Sequence, residues 1–85
     1  MRVRIATWNI NSVRARLHII EQFVKEVKPD VLCLQEIKVV DELYPRQAFH
    51  EMGFEHVEVF GQKAYHGVAI VSNGRVPLAR VKREQ

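Results

Sequence analysis

Residues 31–36 read Val-Leu-Cys-Leu-Gln-Glu, a run that is apolar until its last two positions. A run of this length and composition is typical of a strand buried on both faces, as found in the interior of a layered α/β sheet. Pro29, just before the run, ends the helical pattern that precedes it. The run therefore predicts an α/β fold with a buried central strand.

The segment before this strand predicts a second strand and a helix. Residues 2–9 alternate in polarity and are rich in β-branched and aromatic types, as strands are. Ser12 is then a candidate N-cap for a helix that runs to about Val27, because apolar residues recur at three- and four-residue spacings. Strand, helix and strand at this spacing predict two parallel strands with a right-handed crossover.

The segment after residue 36 predicts an antiparallel pair. The predicted elements are a short helix beginning at Pro45 and ending near Gly53, strands over 54–60 and 67–72, and the start of another strand over 76–81. The six-residue connection at 61–66 contains a glycine, which favours antiparallel pairing. Such a sheet has strand edges without a partner and one face without a packing layer, so the sequence predicts a domain that continues beyond Gln85.

Composition excludes several classes of protein. A chain of 85 residues makes one domain at most, and 47% hydrophobic with 27% charged residues argue against disorder. The net charge of +3 suits a polyanionic partner without requiring one. Cys33 has no partner in the sequence and predicts a buried free thiol in a reducing compartment. No apolar stretch predicts a membrane span or a signal peptide, so a cytoplasmic location without a membrane partner is expected.

Polar residues follow the two predicted parallel strands. Asn9 and Glu36 lie at the carboxyl ends, the edge at which open α/β sheets bind ligands. A carboxylate and an amide oxygen suit Mg²⁺ or Mn²⁺, and the neighbouring Gln35 and Lys38 could orient the carboxylate or hold a phosphate oxygen. From spacing alone, a turn-forming asparagine and a solvated glutamate are the simpler explanation.

Two further segments carry candidate anion contacts. Arg14 and Arg16 open the predicted helix, where free backbone N–H groups favour anions. Residues 61–67, Gly-Gln-Lys-Ala-Tyr-His-Gly, combine a cation, an aromatic ring and an imidazole that could contact a DNA backbone. Solvated side chains and an ordinary hairpin connection explain the same residues.

Three blocks occur in a defined order: Trp-Asn-Ile-Asn-Ser-Val-Arg-Ala-Arg at 8–16, Leu-Gln-Glu-Ile-Lys at 34–38, and Gly-Gln-Lys-Ala-Tyr-His-Gly-Val-Ala-Ile at 61–70. Together they resemble the exonuclease III branch of the endonuclease/exonuclease/phosphatase superfamily, whose members include apurinic/apyrimidinic (AP) endonucleases. Each block is a weak motif, but their order is specific. The first and third blocks favour the DNA-repair branch over the lipid and inositol phosphatases.

The resemblance implies a fold and a set of roles. The fold is a four-layered α/β sandwich with two packed mixed β-sheets, and residues 1–85 would be the N-terminal portion of one such domain, incomplete at the C-terminus. The metal-binding and catalytic positions are Asn9 and Glu36. The supporting positions are Gln35, Lys38 and Asn11, and the positions that contact DNA are Arg14, Lys63, Tyr65 and His66.

The resemblance also implies an activity. The family hydrolyses the phosphodiester 5′ to an abasic site and removes nucleotides or blocking groups from 3′ ends of double-stranded DNA, with Mg²⁺ or Mn²⁺, and the complete protein would be a monomer. The family's later tyrosine, its Gly-Asp-x-Asn segment and its terminal Asp-His pair have no counterpart before Gln85. Because such residues activate the nucleophile, the 85-residue chain alone is expected to be inactive.

Two other interpretations stay open at the level of sequence. A non-catalytic module that binds DNA or a protein partner through its basic ends would explain why the later catalytic residues are missing. An unrelated flavodoxin-like protein would need a phosphate loop rich in glycine, serine or threonine after the first strand. The segment from Asn9 to Ser12 has no glycine, which disfavours that second interpretation.

Overall fold

A mixed four-stranded sheet with helices forms the described part of the chain. The computed structural model describes residues 2–61 and 66–76. The elements, in chain order, are β1 (Ile5–Asn9), α1 (Leu17–Val27), β2 (Val31–Gln35), a 3-10 helix (Asp41–Leu43), α2 (Arg46–Glu51), β3 (His56–Gly61) and β4 (Gly67–Ser72). This confirms the predicted α/β class, whereas the strand predicted over 76–81 falls largely outside the described residues.

Two of the strand pairings among the described residues, β1–β2 and β3–β4, are those that the sequence predicts, and the pairing of β2 with β4 is additional. β1 is parallel to β2 in a register that runs from Ile5 opposite Val31 to Asn9 opposite Gln35. β3 and β4 are antiparallel, and β4 also pairs antiparallel with β2, which gives the order β1-β2-β4-β3. β2 is therefore an interior strand, as its apolar composition indicates.

Helix α1 begins later than predicted. The sequence places its N-cap at Ser12, but the helix starts at Leu17 after a turn over residues 13–16. The reason is that the N–H groups of Ser12 and Val13 donate to the carbonyls of Glu36 and Ile37, at 2.9 and 3.0 Å. Those bonds extend the β1–β2 pairing, and Asn11 and Ser12 have positive φ values of 49° and 86°, so Ser12 does not have the extended conformation usual for an N-cap.

The end of α1 agrees with the prediction. The helix ends at Val27, and Lys28 follows in a left-handed conformation with φ 54°. The N–H of Lys28 donates to the carbonyl of Val24 at 2.9 Å, which satisfies one of the carbonyls that a helix end leaves open. None of the helices in the described residues has the length and apolarity needed to cross a bilayer.

The hydrophobic core lies on one face of the sheet. Alternate strand residues and the apolar sides of both helices form a single cluster, whose fully buried members include Ile20, Leu32, Leu34, Phe49 and Val71. Trp8 is half-buried against this cluster, with its ring centroid 5.2 Å from that of Phe23. Because side chains alternate along strands, the other strand positions face away from the helices.

The opposite face of the sheet is apolar and partly open. Ile5 is 62% exposed and Val68 is 41% exposed, and both are large hydrophobic residues. Cys33, predicted to be buried, is only half-buried because it lies on this face. Desolvation by its neighbours still raises the pKa of the Cys33 thiol above its usual value.

Three aromatic rings anchor the second helix. The prediction placed Pro45 within the first turn of a helix ending near Gly53; Pro45 is instead the N-cap residue, and α2 ends at Glu51. The Phe49 ring stacks on Tyr44 at 5.2 Å and tilts against Phe54 at 6.3 Å. The buried Tyr44 hydroxyl has no hydrogen-bond partner among the described residues, and burial raises the pKa of Tyr44.

Asp30 ties three segments together at the amino edge of the sheet. Its buried carboxylate accepts hydrogen bonds from the backbone N–H of Arg4 and the side-chain amide of Asn73, both at 2.8 Å. Arg75 adds an ion pair at 3.4 Å. The Arg4 hydrogen bond first, and then the Asn73 bond, hold the pKa of Asp30 below its usual value.

This network predicts an acid-sensitive fold. Because the pKa of Asp30 is lower in the folded than in the unfolded chain, its ionised form stabilises the fold above the ordinary value of 3.8. That contribution is lost as pH falls through the lowered pKa. Urea unfolding followed by circular dichroism between pH 6 and 2 should show a loss of stability below about pH 4 that Asp30→Asn reduces. An identical acid loss in both proteins would contradict this assignment.

Candidate active site

Asn9 and Glu36 meet at the carboxyl edge of the two parallel strands. Asn9 is the last residue of β1 and pairs with Gln35, so Glu36 follows directly on the neighbouring strand. The Asn9 side-chain amide donates to a Glu36 carboxylate oxygen, with 2.5 Å between Nδ2 and Oε2. The expectation that strand-edge geometry brings these side chains together is confirmed, and the exposed pair is accessible to a ligand.

The backbone around this pair is held in unusual conformations. Asn11, Ser12, Glu36 and Lys38 all have positive φ values, between 49° and 86°. Such conformations cost about 1 kcal/mol or more for residues with side chains, so surrounding contacts must hold them in place. Buried Ile10, Val13 and Ile37 alternate with these residues and provide that support. The same alternation directs polar side chains outward at the edge.

A second polar pair lies beside the first. The Lys38 ammonium donates to the amide oxygen of Asn11, which places both predicted supporting residues at the same edge as Glu36. Gln35, also predicted to support Glu36, instead donates its amide to the carbonyl of Cys33 at 3.5 Å. The edge therefore presents a carboxylate, two amides and an ammonium.

Only two of the four predicted DNA-contact residues, Arg14 and His66, lie within the described part of the chain. His66 is exposed, and its carbonyl accepts the backbone N–H of Lys38 at 3.3 Å, so it lies next to the polar edge. Arg14 is exposed in the turn before α1 rather than in the helix, and Arg16 is the N-cap residue of α1. Lys63 and Tyr65 lie outside the described residues.

The donor set at this edge fits a hard divalent cation only in part. Glu36 supplies a carboxylate, and Asn9 turns its amide nitrogen toward Glu36, which leaves its amide oxygen for another contact. Oxygen donors of this kind suit Mg²⁺ or Mn²⁺. Within residues 2–61 and 66–76, no three His, Cys, Asp or Glu side chains gather around a common point. The described residues thus provide two oxygen donors at this edge, fewer than the roughly six ligands that such a cation takes.

A large cleft lies at the opposite edge of the sheet. Its volume is about 850 Å³, and its lining includes Arg4, Lys28, Asp30 and Arg75. Two of the cationic side chains have structural roles there. Arg75 pairs with Asp30, and the Arg4 guanidinium donates to the carbonyl of Val27 at the end of α1. Cations near a helix C-terminus are stabilising, so this cleft is explained by folding and is a poor candidate for the site.

The structure adds one residue that the sequence did not indicate. The Asp41 carboxylate accepts the backbone N–H of Gly61, the last residue of β3. The two residues are twenty positions apart, and neither periodicity nor a local motif links them. Only the three-dimensional arrangement shows that the segment after Glu36 contacts the end of β3.

Taken together, fold and site define an α/β protein that gathers polar side chains at the carboxyl edge of its parallel strands. Residues 6–82 match the Endonuclease/Exonuclease/phosphatase family, and the chain belongs to that family. The predicted resemblance is therefore confirmed at the level of the family.

Relatives with known names agree with this assignment. Over 78 residues the chain is 41% identical to exodeoxyribonuclease III of Haemophilus influenzae, covering 92% of this chain and 29% of that protein. An AP endonuclease from Archaeoglobus fulgidus superposes with a TM-score of 0.78 at 49% identity, covering 84% of this chain and 27% of that one. The 3′ phosphatase NExo from Neisseria, bound to a product DNA hairpin, superposes with a TM-score of 0.83 at 41% identity over 92% of this chain and 30% of that one. This chain spans less than a third of each relative.

Proposed function

We propose that this chain supplies one side of the active site of a metal-dependent DNA-repair phosphodiesterase. The proposed activity is that of an AP endonuclease and 3′–5′ exodeoxyribonuclease acting on double-stranded DNA with abasic sites or blocked 3′ ends. The observation that carries the proposal is the Asn9–Glu36 pair at the strand edge, in a chain whose relatives are named for these activities.

The side chains at the edge have distinct proposed roles. Glu36 and Asn9 would hold Mg²⁺ or Mn²⁺, which when bound would polarise the scissile phosphate and stabilise the leaving oxygen. The Asn9 amide orients the Glu36 carboxylate through their 2.5 Å hydrogen bond. The Lys38 ammonium donates to Asn11 and would contact a phosphate oxygen.

The open face of the sheet supports a larger fold. Ile5 and Val68 expose apolar surface on the face away from the helices. Exposed apolar surface of this kind favours burial against another layer. We propose that a second sheet covers it in the complete protein, which would form the four-layered sandwich with two packed mixed sheets and complete the metal site.

A chimera tests the proposed function. In it, this chain replaces the matching 78-residue segment of the Haemophilus enzyme. With Mg²⁺, the chimera should incise a duplex carrying one abasic-site analogue, and EDTA should abolish incision. The isolated 85-residue chain should not incise the same duplex, because it lacks the residues that activate the nucleophile.

Folding of the chimera must be shown separately. Circular dichroism and a cooperative thermal transition would establish that it is folded. A folded chimera that binds the duplex but does not incise it would contradict the proposal. Incision by the isolated chain would contradict the proposed division of the active site.

A further inference from the structure

Both ends of the connection between β3 and β4 are tied to the segment that follows Glu36. At the β4 end, the N–H of Ile37 donates to the carbonyl of Gly67 at 3.2 Å. The N–H of Lys38 donates to the carbonyl of His66 at 3.3 Å. These bonds continue the β2–β4 pairing past its regular end, so His66 is fixed relative to the backbone of Glu36.

The β3 end is held by a side chain. The Asp41 carboxylate accepts the backbone N–H of Gly61, and Asp41 lies only five residues after Glu36. A Cβ atom on Gly61 would overlap the carbonyl oxygen of Val39 and lie 2.7 Å from the Asp41 carboxylate. The two segments thus approach so closely that no side chain fits at position 61.

Asp41 lies in the first turn of the 3-10 helix, where an acidic side chain is favourable. Within the described residues, the 3-10 helix that begins at Asp41 has no side-chain cap, and its N-cap residue is Val40. Negative charge beside a phosphate-binding edge weakens attraction to DNA. The Asp41 carboxylate also accepts the N–H of Gly61, twenty residues away, and this contact links the segment after Glu36 to the end of β3.

We propose that Asp41 is a positioning residue, which fixes Gly61, at the β3 end of the connection, relative to Glu36. With His66 held at the other end, residues 36–41 fix both ends of the connection relative to Glu36, and His66 is itself one of the proposed DNA contacts. This inference rests on the proposed function. The contact of Asp41 is with the backbone of Gly61, so loss of its carboxylate would act through the placement of bound DNA.

Kinetics of the chimera test this role. Asp41→Ala should raise KM for abasic duplex about tenfold, because DNA binding would then have to order the freed end of β3, while kcat stays within about threefold. Asp41→Asn keeps an acceptor oxygen and should restore most of the affinity. Glu42→Ala is the matched control, because Glu42 is exposed in the same 3-10 helix and its removal changes the charge equally.

The outcomes separate the two proposals. An active chimera in which Asp41→Ala and Glu42→Ala have the same KM overturns the positioning role alone. A folded but inactive chimera overturns the proposed function and this inference with it. Amide hydrogen exchange in the unmodified 85-residue chain adds a readout without activity. Gly61 should exchange faster in Asp41→Ala and not in Glu42→Ala, and equal exchange in all three proteins overturns the inference.

Discussion

Replacing Glu36 with glutamine is expected to slow incision by the chimera on the order of 10³-fold. Glutamine has nearly the same shape, so the hydrogen bond with Asn9 and the backbone at this edge are retained. What changes is the negative charge that a hard divalent cation requires. The measurement is single-turnover incision of an abasic duplex over a range of Mg²⁺ concentrations, and half-maximal activity should need more Mg²⁺.

Glu42→Gln is the matched control for this variant. Glu42 is exposed and lies six residues along the same segment, so it tests whether any loss of negative charge near the edge slows the reaction. Its rate should equal that of the unmodified chimera. A Glu36→Gln rate within a few-fold of that control would exclude a metal-binding role for Glu36.

The largest expected effect on stability comes from Phe49→Ala. Phe49 is fully buried, and its ring contacts both Tyr44 and Phe54. Truncating a buried phenylalanine leaves a cavity and costs about 3–5 kcal/mol. The free energy of unfolding of a whole domain is typically about 5–15 kcal/mol, so this variant should lose a large share of it. Urea denaturation of the chimera, followed by circular dichroism, gives the difference.

Leu43→Ala is the control for this prediction. Leu43 is also a large hydrophobic residue, but it is 57% exposed in the adjacent 3-10 helix. Its truncation should change the free energy of unfolding by no more than about 0.5 kcal/mol. Equal losses in the two variants would mean that the aromatic cluster does not anchor α2.

The sequence predicted the features that depend on local pattern. The apolar composition of residues 31–35 indicated an interior strand, and β2 is one. The position of Asn9 and Glu36 at two strand ends was sufficient to bring them together, because parallel strands share an edge. The antiparallel pair of β3 and β4 followed from the glycine-containing connection.

Features that depend on contacts between distant segments were missed. The Ser12 hydroxyl oxygen accepts the N–H of Ala15 at 3.4 Å, as a capping serine would, but the Ser12 backbone bonds to Glu36 and α1 begins only at Leu17. Nothing in the sequence indicates the positive φ values of Glu36 and Lys38, because glutamate and lysine ordinarily avoid that region of backbone conformation. The role of Asp41 depends on Gly61, which no local pattern connects to it.

The strand order has a consequence for how the protein is made. β4, the last strand described, pairs with β2 on one side and β3 on the other, and it ends 37 residues after β2 ends. At synthesis rates of about 5–20 residues per second, the ribosome needs about 2–7 s to produce that stretch. Throughout that interval the nascent chain carries β2 with one edge unpaired. An apolar strand with an unpaired edge pairs readily with other chains, so the nascent chain is vulnerable to aggregation until β4 is available to pair with β2.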